Sequence, residues 1–401
     1  MFSNKTIKSN NRWALIVLGI LIMMFLGTVY SYSVFRVALE NELQVGSAKS
    51  GMPYMVALAF YALFMFFTSK HIESSHPRNV IITGGLLVAL GWILSSFATD
   101  IFVLTITYGC ISGAGVGIAY GVLMNAAAKW FPDKKGFAVG LILVGFGLSP
   151  LITAPVARIL VVNFGVMRAF FILGVSFGVL LPVLAFPFKY PSCEDVSSYN
   201  YKTQHSHDSE DIPLKEMIKT MSFKGVYLNF TIGTMIGLMM IGMTNNVGVD
   251  YFELESLMVT RLMAIFAIFN GIGRPIFGWI TDRFALRNTM ILSFLLISVA
   301  AMGLITLGND IVVYIITFSI FWFNMGGWLA IAPTSTLKLY GIKNYSDNYG
   351  LVFTAYGIGA IAGVTSSGIL LDFHGNYLNV FYYVIALCLV GVILTNKYIK
   401  T

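Results

Sequence analysis

The sequence predicts an all-α membrane protein of twelve transmembrane helices in two pseudo-symmetric six-helix bundles, and three observations predict it. Of its 401 residues, 57% are hydrophobic and only 11% are charged, with a mean hydropathy of +0.80; a soluble chain carries about 25% charged residues. The apolar residues fall into twelve runs, each near the roughly 20 residues that cross a bilayer as a helix. One long polar segment, 189–222, divides the runs six and six.

The runs lie at 13–37, 51–68, 80–98, 101–128, 136–160, 167–188, 223–247, 256–280, 288–308, 311–331, 347–371 and 377–396. Span 1 is too long and too uniformly apolar for a cleaved signal peptide and lacks an Ala-x-Ala site, so it is expected to stay on the mature protein. Spans 4 and 5 carry glycine stripes, Gly113, Gly115, Gly117 and Gly121, then Gly140, Gly145 and Gly147. Glycines inside apolar spans favour close helix packing over a nucleotide loop. Pro150 and Pro155 are expected to kink span 5. Segment 189–222, rich in Ser, Asp, Glu, Lys and His and containing Pro191 and Pro213, is expected to be a flexible linker between an N-terminal bundle, 1–188, and a C-terminal bundle, 223–401. Its His205-Ser206-His207-Asp208 cluster is expected to be solvated rather than metal-bound.

Charge placement gives the topology. Of the 25 lysines and arginines, all but Arg36, Lys49, Arg158, Arg168, Arg261 and Arg274 fall at the two ends of the chain or in loops that follow even-numbered spans. Basic residues are retained on the cytoplasmic side, so both termini are expected there, at the inner membrane if the source is prokaryotic. The net charge of +7 is then a topology signal, and no nucleic-acid partner is expected. Cys110, Cys193 and Cys388 are odd in number and far apart, which argues against a disulfide framework or a zinc site. His71, His76, His205, His207 and His374 lie outside the apolar runs, which excludes an intramembrane haem, metal site or proton relay built on histidine; no cofactor is expected. A membrane enzyme would need a nucleophile and base or an acid pair within the bilayer, and neither H-E-x-x-H nor G-x-S-x-G occurs. A receptor or scaffold has little room in such short loops. A carrier remains, expected as a monomer in the lipid bilayer.

Corresponding loops of the two halves repeat one another. After span 8 stands Gly278-Trp279-Ile280-Thr281-Asp282-Arg283-Phe284-Ala285-Leu286-Arg287, and after span 2 stands Ser69-Lys70-His71-Ile72-Glu73-Ser74-Ser75-His76-Pro77-Arg78. Between spans 4 and 5 is Lys129-Trp130-Phe131-Pro132-Asp133-Lys134-Lys135-Gly136. Glu73, Arg78, Asp133, Lys134, Asp282, Arg283 and Arg287 are the expected gating charges. The first two loops resemble the Gly-x-x-x-Asp-Arg-x-Gly-Arg signature of the major facilitator superfamily. The third is similar to the Trp-Phe-Pro-Asp-Lys-Arg-Gly loop of its oxalate/formate antiporter-like branch, related to the eukaryotic monocarboxylate transporters. Tyr30-Ser31-Tyr32-Ser33-Val34-Phe35, Gly273-Arg274-Pro275-Ile276-Phe277-Gly278 and Asn348-Tyr349-Gly350-Leu351-Val352-Phe353-Thr354-Ala355-Tyr356-Gly357 agree with that branch. The resemblance implies a carrier of small carboxylates, with Arg274 holding the substrate carboxylate. It departs at two places: oxalate exchangers of the branch have a lysine where this chain has Tyr356, and animal monocarboxylate carriers have an aspartate where it has Asn270.

Arg274 can be weighed without a family. No acidic residue lies in a span interior to neutralise it. A charge within the bilayer costs at least about 2.5–3.5 kcal/mol and marks a pathway or binding site; the competing account is a side chain that snorkels to water. Asn270 and Gly278, at i−4 and i+4, make one stripe of that helix polar and small. Tyr61, Tyr120, Trp322, Asn324 and Tyr356 fall at about the same depth, some 10–15 Å from the cytoplasmic face. With Tyr32 of span 1 they complete the expected substrate layer, and the superfamily resemblance places Tyr120 and Tyr356 on cavity-facing helices. Proton symport of a monocarboxylate is the preferred expectation; oxalate/formate-type exchange and export of drugs or metabolites are the alternatives. The topology is checked by a cysteine introduced at Ser206, which should react with an impermeant reagent only from the cytoplasmic side; labelling in intact cells would reverse the orientation.

Overall fold

The computed structural model describes residues 11–69, 75–131, 135–191, 211–308, 310–341 and 343–399. Among these residues, twelve helices are long and apolar enough to cross a membrane. They are α1 (Asn11–Leu26, Gly27–Ser31 and Tyr32–Leu43 in succession), α2 (Met52–Ser69), α3 (Pro77–Ser95), α4 (Ile101–Leu104, Thr105–Ser112 and Gly113–Trp130), α5 (Lys135–Phe164) and α6 (Val166–Ala185). The second six are α7 (Met221–Asn246 and Val247–Tyr251), α8 (Ser256–Arg283), α9 (Leu286–Thr306), α10 (Ile311–Tyr340), α11 (Tyr345–His374) and α12 (Leu378–Tyr398).

Local chemistry fixes many of the ends. Asp100 accepts from the N–H groups of Phe102 and Val103 at 2.7 and 3.0 Å, Thr220 from Phe223 at 3.1 Å, and Asp310 from Val312 at 2.7 Å, capping α4, α7 and α10. Pro77 opens α3 at a position whose N–H would be unbonded anyway. Gly341 and Gly375, at φ 75° and 60°, end α10 and α11 in the left-handed region that favours glycine. Several helices outrun their apolar runs: α1 continues to Leu43 and α10 to Tyr340. The bilayer limits the apolar stretch, whereas backbone hydrogen bonding carries the helix on into the polar layer.

The helix pairs repeat with a shift of six. In the first half α1 packs on α5, α2 on α4, and α3 on α4 and α6; in the second, α7 packs on α11, α8 on α10, and α9 on α10 and α12. The seam between halves obeys the same rule, since α5 lies on α8 and α11 on α2. Glycine sets how close these helices come. A Cβ at Gly113 or Gly117 would strike the backbone of Ala57 or Tyr61 in α2, while one at Gly115 would strike Gly84 and Val88 in α3. Alternate glycines of α4 therefore serve two neighbours. Gly140 differs, because a Cβ there meets nothing within 4 Å.

The face bearing the α4–α5, α8–α9 and α10–α11 connections, here the basic face, is tied together by aromatic and backbone contacts. Trp130 donates through Nε1 to the Lys189 carbonyl at 2.8 Å, and Phe131 lies against Trp13 at 4.8 Å and under Arg12 at 4.6 Å. The segment expected to be a flexible linker is held at both ends. Phe188 and Met217 are buried, the Ile212 N–H donates to the Tyr340 carbonyl at 3.1 Å, and Asn348 donates to the Ile212 carbonyl at 2.9 Å. Apolar residues at the margins of that polar segment dock onto the bundles, which its average composition hid. Glu73, Asp133, Lys134, Cys193 and the His205–Asp208 cluster lie outside the described residues.

Gly117→Val should destabilise the protein by about 1–3 kcal/mol through overpacking against α2, whereas Gly140→Ala should leave it unchanged. Thermal unfolding of the purified protein in detergent compares the two; equal transitions would remove the packing account of the α4 stripe.

Candidate functional site

Where α5 and α8 meet, the stripe Asn270, Arg274 and Gly278 is turned inward. Arg274 is fully buried. Its Nη1 donates to the Leu143 carbonyl of α5 at 2.5 Å, and its Nη2 donates to Asn270 Oδ1 at 3.2 Å. Asn270 in turn donates to the Trp322 carbonyl of α10 at 3.0 Å, so one amide orients the guanidinium against α8's partner helix. Nε has no hydrogen-bond partner, and no carboxylate pairs with Arg274 among the described residues. The guanidinium carbon stands 5.7 Å from the centroid of Phe146.

Phe146 connects the arginine to a cluster of buried rings. It packs on Tyr30 at 5.1 Å, Tyr61 at 5.8 Å and Tyr120 at 5.5 Å. Tyr61 meets Tyr120, Phe353 and Tyr356 at 5.0, 5.1 and 5.4 Å. The Tyr30 and Tyr356 hydroxyls share a hydrogen bond of 3.0 Å that joins α1 to α11 and hence one half to the other. The Tyr120 hydroxyl makes no well-formed hydrogen bond and has the Tyr61 ring beside it. This cluster lies between two cavities. One, of about 420 Å³, reaches from Arg274 toward the basic face past Asn125, Lys129, Asp282 and Lys338. The other, of about 460 Å³, runs from Tyr30 and Tyr32 toward the opposite face past Arg36, Asp250 and Tyr377.

Arg274, Asn270, Tyr61, Tyr120 and Tyr356 are thus brought together. Tyr32 is not with them: its hydroxyl donates to the Ser50 carbonyl at 2.9 Å and its ring lies against Tyr54 and Tyr108 on the opposite-face side. Trp322 donates through Nε1 to Thr244 at 3.1 Å, and Asn324 accepts from Ser293 of α9 at 2.8 Å, so both side chains bond within the second half. Sequence reasoning missed Tyr30, Phe146 and Phe353. Tyr30 stood in a quoted segment, but nothing in the sequence chooses between it and Tyr32; a phenylalanine in an apolar span gives no signal at all. Arg36, one of the six basic residues away from the expected cytoplasmic side, lines the opposite-face cavity, donates to Ser50 at 2.8 Å and lies 3.4 Å from Glu40.

The expected gating charges are arranged otherwise than as a simple Asp–Arg pair. Lys338 Nζ donates to the carbonyls of Thr281 and Asp282 at 2.5 and 3.1 Å, capping the end of α8. Arg283 lies 5.0 Å over Trp279, Arg287 donates to Asn396 at 2.9 Å, and Arg78 lies 3.5 Å over Phe186.

A twelve-helix molecule whose halves repeat one another's packing around a cation between two cavities is a membrane carrier. The chain belongs to the Major Facilitator Superfamily, whose profile matches residues 15–336 and 223–400. It is similar to the oxalate:formate antiporter of Oxalobacter formigenes, 28% identical over 362 residues that cover 88% of this chain and 83% of that protein. It is also similar to monocarboxylate transporter 12 of Xenopus laevis, 29% identical over 74% of this chain and 68% of that one, and to monocarboxylate transporter 13 of Rattus norvegicus, 24% identical over 88% and 80%.

Asn270→Leu would strand Arg274 Nη2 in a buried site and remove the amide's bond to the Trp322 carbonyl. It should cost about 1–3 kcal/mol of stability, read as a lowered unfolding transition in detergent; an unchanged transition would mean that Asn270 does not hold the arginine.

Proposed function

We propose that the chain carries a small monocarboxylate by alternating access between its two halves, divided at 189–222, with the basic face toward the cytoplasm. The observation that carries this reading is Arg274: a buried guanidinium with an unused N–H, no carboxylate partner among the described residues, and a cavity in front of it. A guanidinium matches a carboxylate geometrically, and in low dielectric their hydrogen bonds are charge-assisted. The Tyr120 hydroxyl, which makes no well-formed hydrogen bond beside Tyr61, offers a further donor, and the aromatic cluster shuts water out. Two carrier relatives named for monocarboxylates and one named for oxalate and formate support the carboxylate class.

The charge count favours a monoanion. Tyr356 supplies a hydroxyl, already bonded to Tyr30, where a second cation would be needed for a dianion. A second carboxylate would be desolvated without a partner, at several kcal/mol. Proton symport is the preferred coupling, since one anion and one proton moving together leave Arg274 with the same charge after each cycle. Exchange is the second reading, favoured by the likeness to the antiporter across 88% of the chain.

Uptake of labelled lactate, pyruvate, formate and oxalate into proteoliposomes, with and without a pH gradient, tests the reading. Arg274→Ala should abolish uptake while the protein still inserts, and Arg274→Lys should leave weak activity because the fork is lost. Normal transport by the alanine variant would reduce Arg274 to a structural residue. Tyr356→Lys should weaken monocarboxylate uptake, by leaving a second cation unmatched, and admit oxalate; efficient oxalate transport by the unmodified protein would return exchange to first place.

A further inference from the structure

The basic-face cavity continues well past Arg274. Its wall toward that face is made by Asn125 and Lys129 of α4 and by Tyr345 and Ser346 of α11. Asn125 and Lys129 are one turn apart on one helix face. The Asn125 Nδ2 is closed off from solvent and has no hydrogen-bond partner; buried amide donors ordinarily have one. Lys129 holds its ammonium 4.2 Å from the centroid of the Tyr190 ring. That contact fixes the charge but supplies no hydrogen-bond acceptor.

Across the cavity is the start of a 30-residue helix. Asn344 precedes α11 without a side-chain capping bond, so the first-turn N–H groups point outward from the helix end that favours anions. Asp347 lies in that turn, Asp211 accepts from the Lys343 N–H just before it at 3.0 Å, and among the described residues the acid lining the cavity is Asp282, beside Lys338. Lys338 itself is committed to the carbonyls that end α8. Among the described residues, the donors left toward the basic face thus include Asn125, Lys129 and the first turn of α11, with the Thr334, Tyr345 and Ser346 hydroxyls on the same lining.

We propose that Asn125, Lys129 and the first turn of α11 form a second carboxylate station, at which the anion is held between Arg274 and the water of the basic face. The proposal rests on the carboxylate reading of Arg274 for the identity of its ligand, but not on Arg274 for its binding. A monocarboxylate there would face the Lys129 ammonium and accept from an α11 N–H, and rotation of the Asn125 side chain would bring its enclosed amide to the anion. A path with donors at successive levels spares the anion full desolvation in one step.

The test uses a chain in which Cys110, Cys193 and Cys388 are replaced by serine and Ser346→Cys supplies a reporter thiol, in an Arg274→Ala background. Alkylation by a maleimide is followed in detergent with sodium lactate or sodium chloride at equal ionic strength. Lactate should slow labelling several-fold relative to chloride; Lys129→Gln should abolish that protection and Lys129→Arg should keep it. Ala128→Cys, on the same wall, is the second reporter should the first variant misfold. Protection absent without Arg274, or surviving Lys129→Gln, overturns the station. Wild-type uptake is measured in parallel: protection without uptake removes the carrier reading and leaves the anion station standing, whereas uptake without protection does the reverse.

Discussion

A guanidinium in the membrane with no carboxylate to neutralise it is the constraint on which the rest of this structure depends. Arg274 keeps its charge at a cost of a few kcal/mol, and its surroundings compensate with dipoles instead of an anion. The Leu143 carbonyl and the Asn270 amide accept from it, and Phe146 presents an aromatic ring to the same side chain. These partners come from both halves, since Leu143 and Phe146 lie on α5 and Asn270 on α8. The charge is therefore held at the seam along which an alternating carrier must move. An anion that arrived there would relieve the site, whereas a permanent acidic partner would close it.

The seam is built to slide. Gly147 of α5 faces Asn270 and Gly271 of α8, and at the related seam Gly357 of α11 faces Ala59 and Ala62 of α2 while Gly350 faces Ser69. Small residues let the backbones approach and leave few interdigitated side chains to unlock. Besides Arg274 to the Leu143 carbonyl, polar contacts across the seam include Tyr30 to Tyr356, Arg158 to Ser256 at 3.2 Å, and Arg36 to the Gly242 carbonyl at 3.5 Å. The Tyr30–Tyr356 bond is neutral and worth about 1 kcal/mol, those from a guanidinium about 1.5–3 kcal/mol, and a seam of a few such bonds would suit the alternating access proposed above.

How much of this was legible in the sequence follows from what each signal measures. Hydropathy located all twelve helices because the bilayer selects apolar length directly. It misplaced their ends, as at Leu43 and Tyr340, because it reports the bilayer and not the hydrogen-bond ladder. Arg274 and Asn270 were legible because a charge in an apolar run is conspicuous and an i−4 amide must share its face. The remaining layer was chosen by depth, and depth says nothing of azimuth. Asn324 lies at a suitable level yet bonds to Ser293 on α9, away from the arginine. Tyr30 and Tyr32 differ by about 200° around their helix, and they point to different neighbours: Tyr356 for one, Ser50 for the other. No composition or spacing distinguishes them; only the packing of α1 does.

The two cavities also differ in charge, and the difference bears on direction. Toward the opposite face, Arg36 lies beside Glu40, and Asp250, which accepts from Tyr377 at 2.8 Å, lines the same cavity, so the arginine there is met by two carboxylates. Burial and this carboxylate together push the Tyr377 hydroxyl upward in pKa, which keeps it a donor to Asp250. Toward the basic face, Lys129, Lys338 and Arg274 line the cavity against Asp282 among the described residues. A narrow, low-dielectric funnel of one sign concentrates the opposite sign. An anion on the proposed route would pass from a mouth with no excess of positive charge, across a septum of tyrosine hydroxyls and rings, into a positive one. The septum is where its charge must be met by directed donors, and Arg274, with Tyr120 beside the same ring of Phe146, stands at that point.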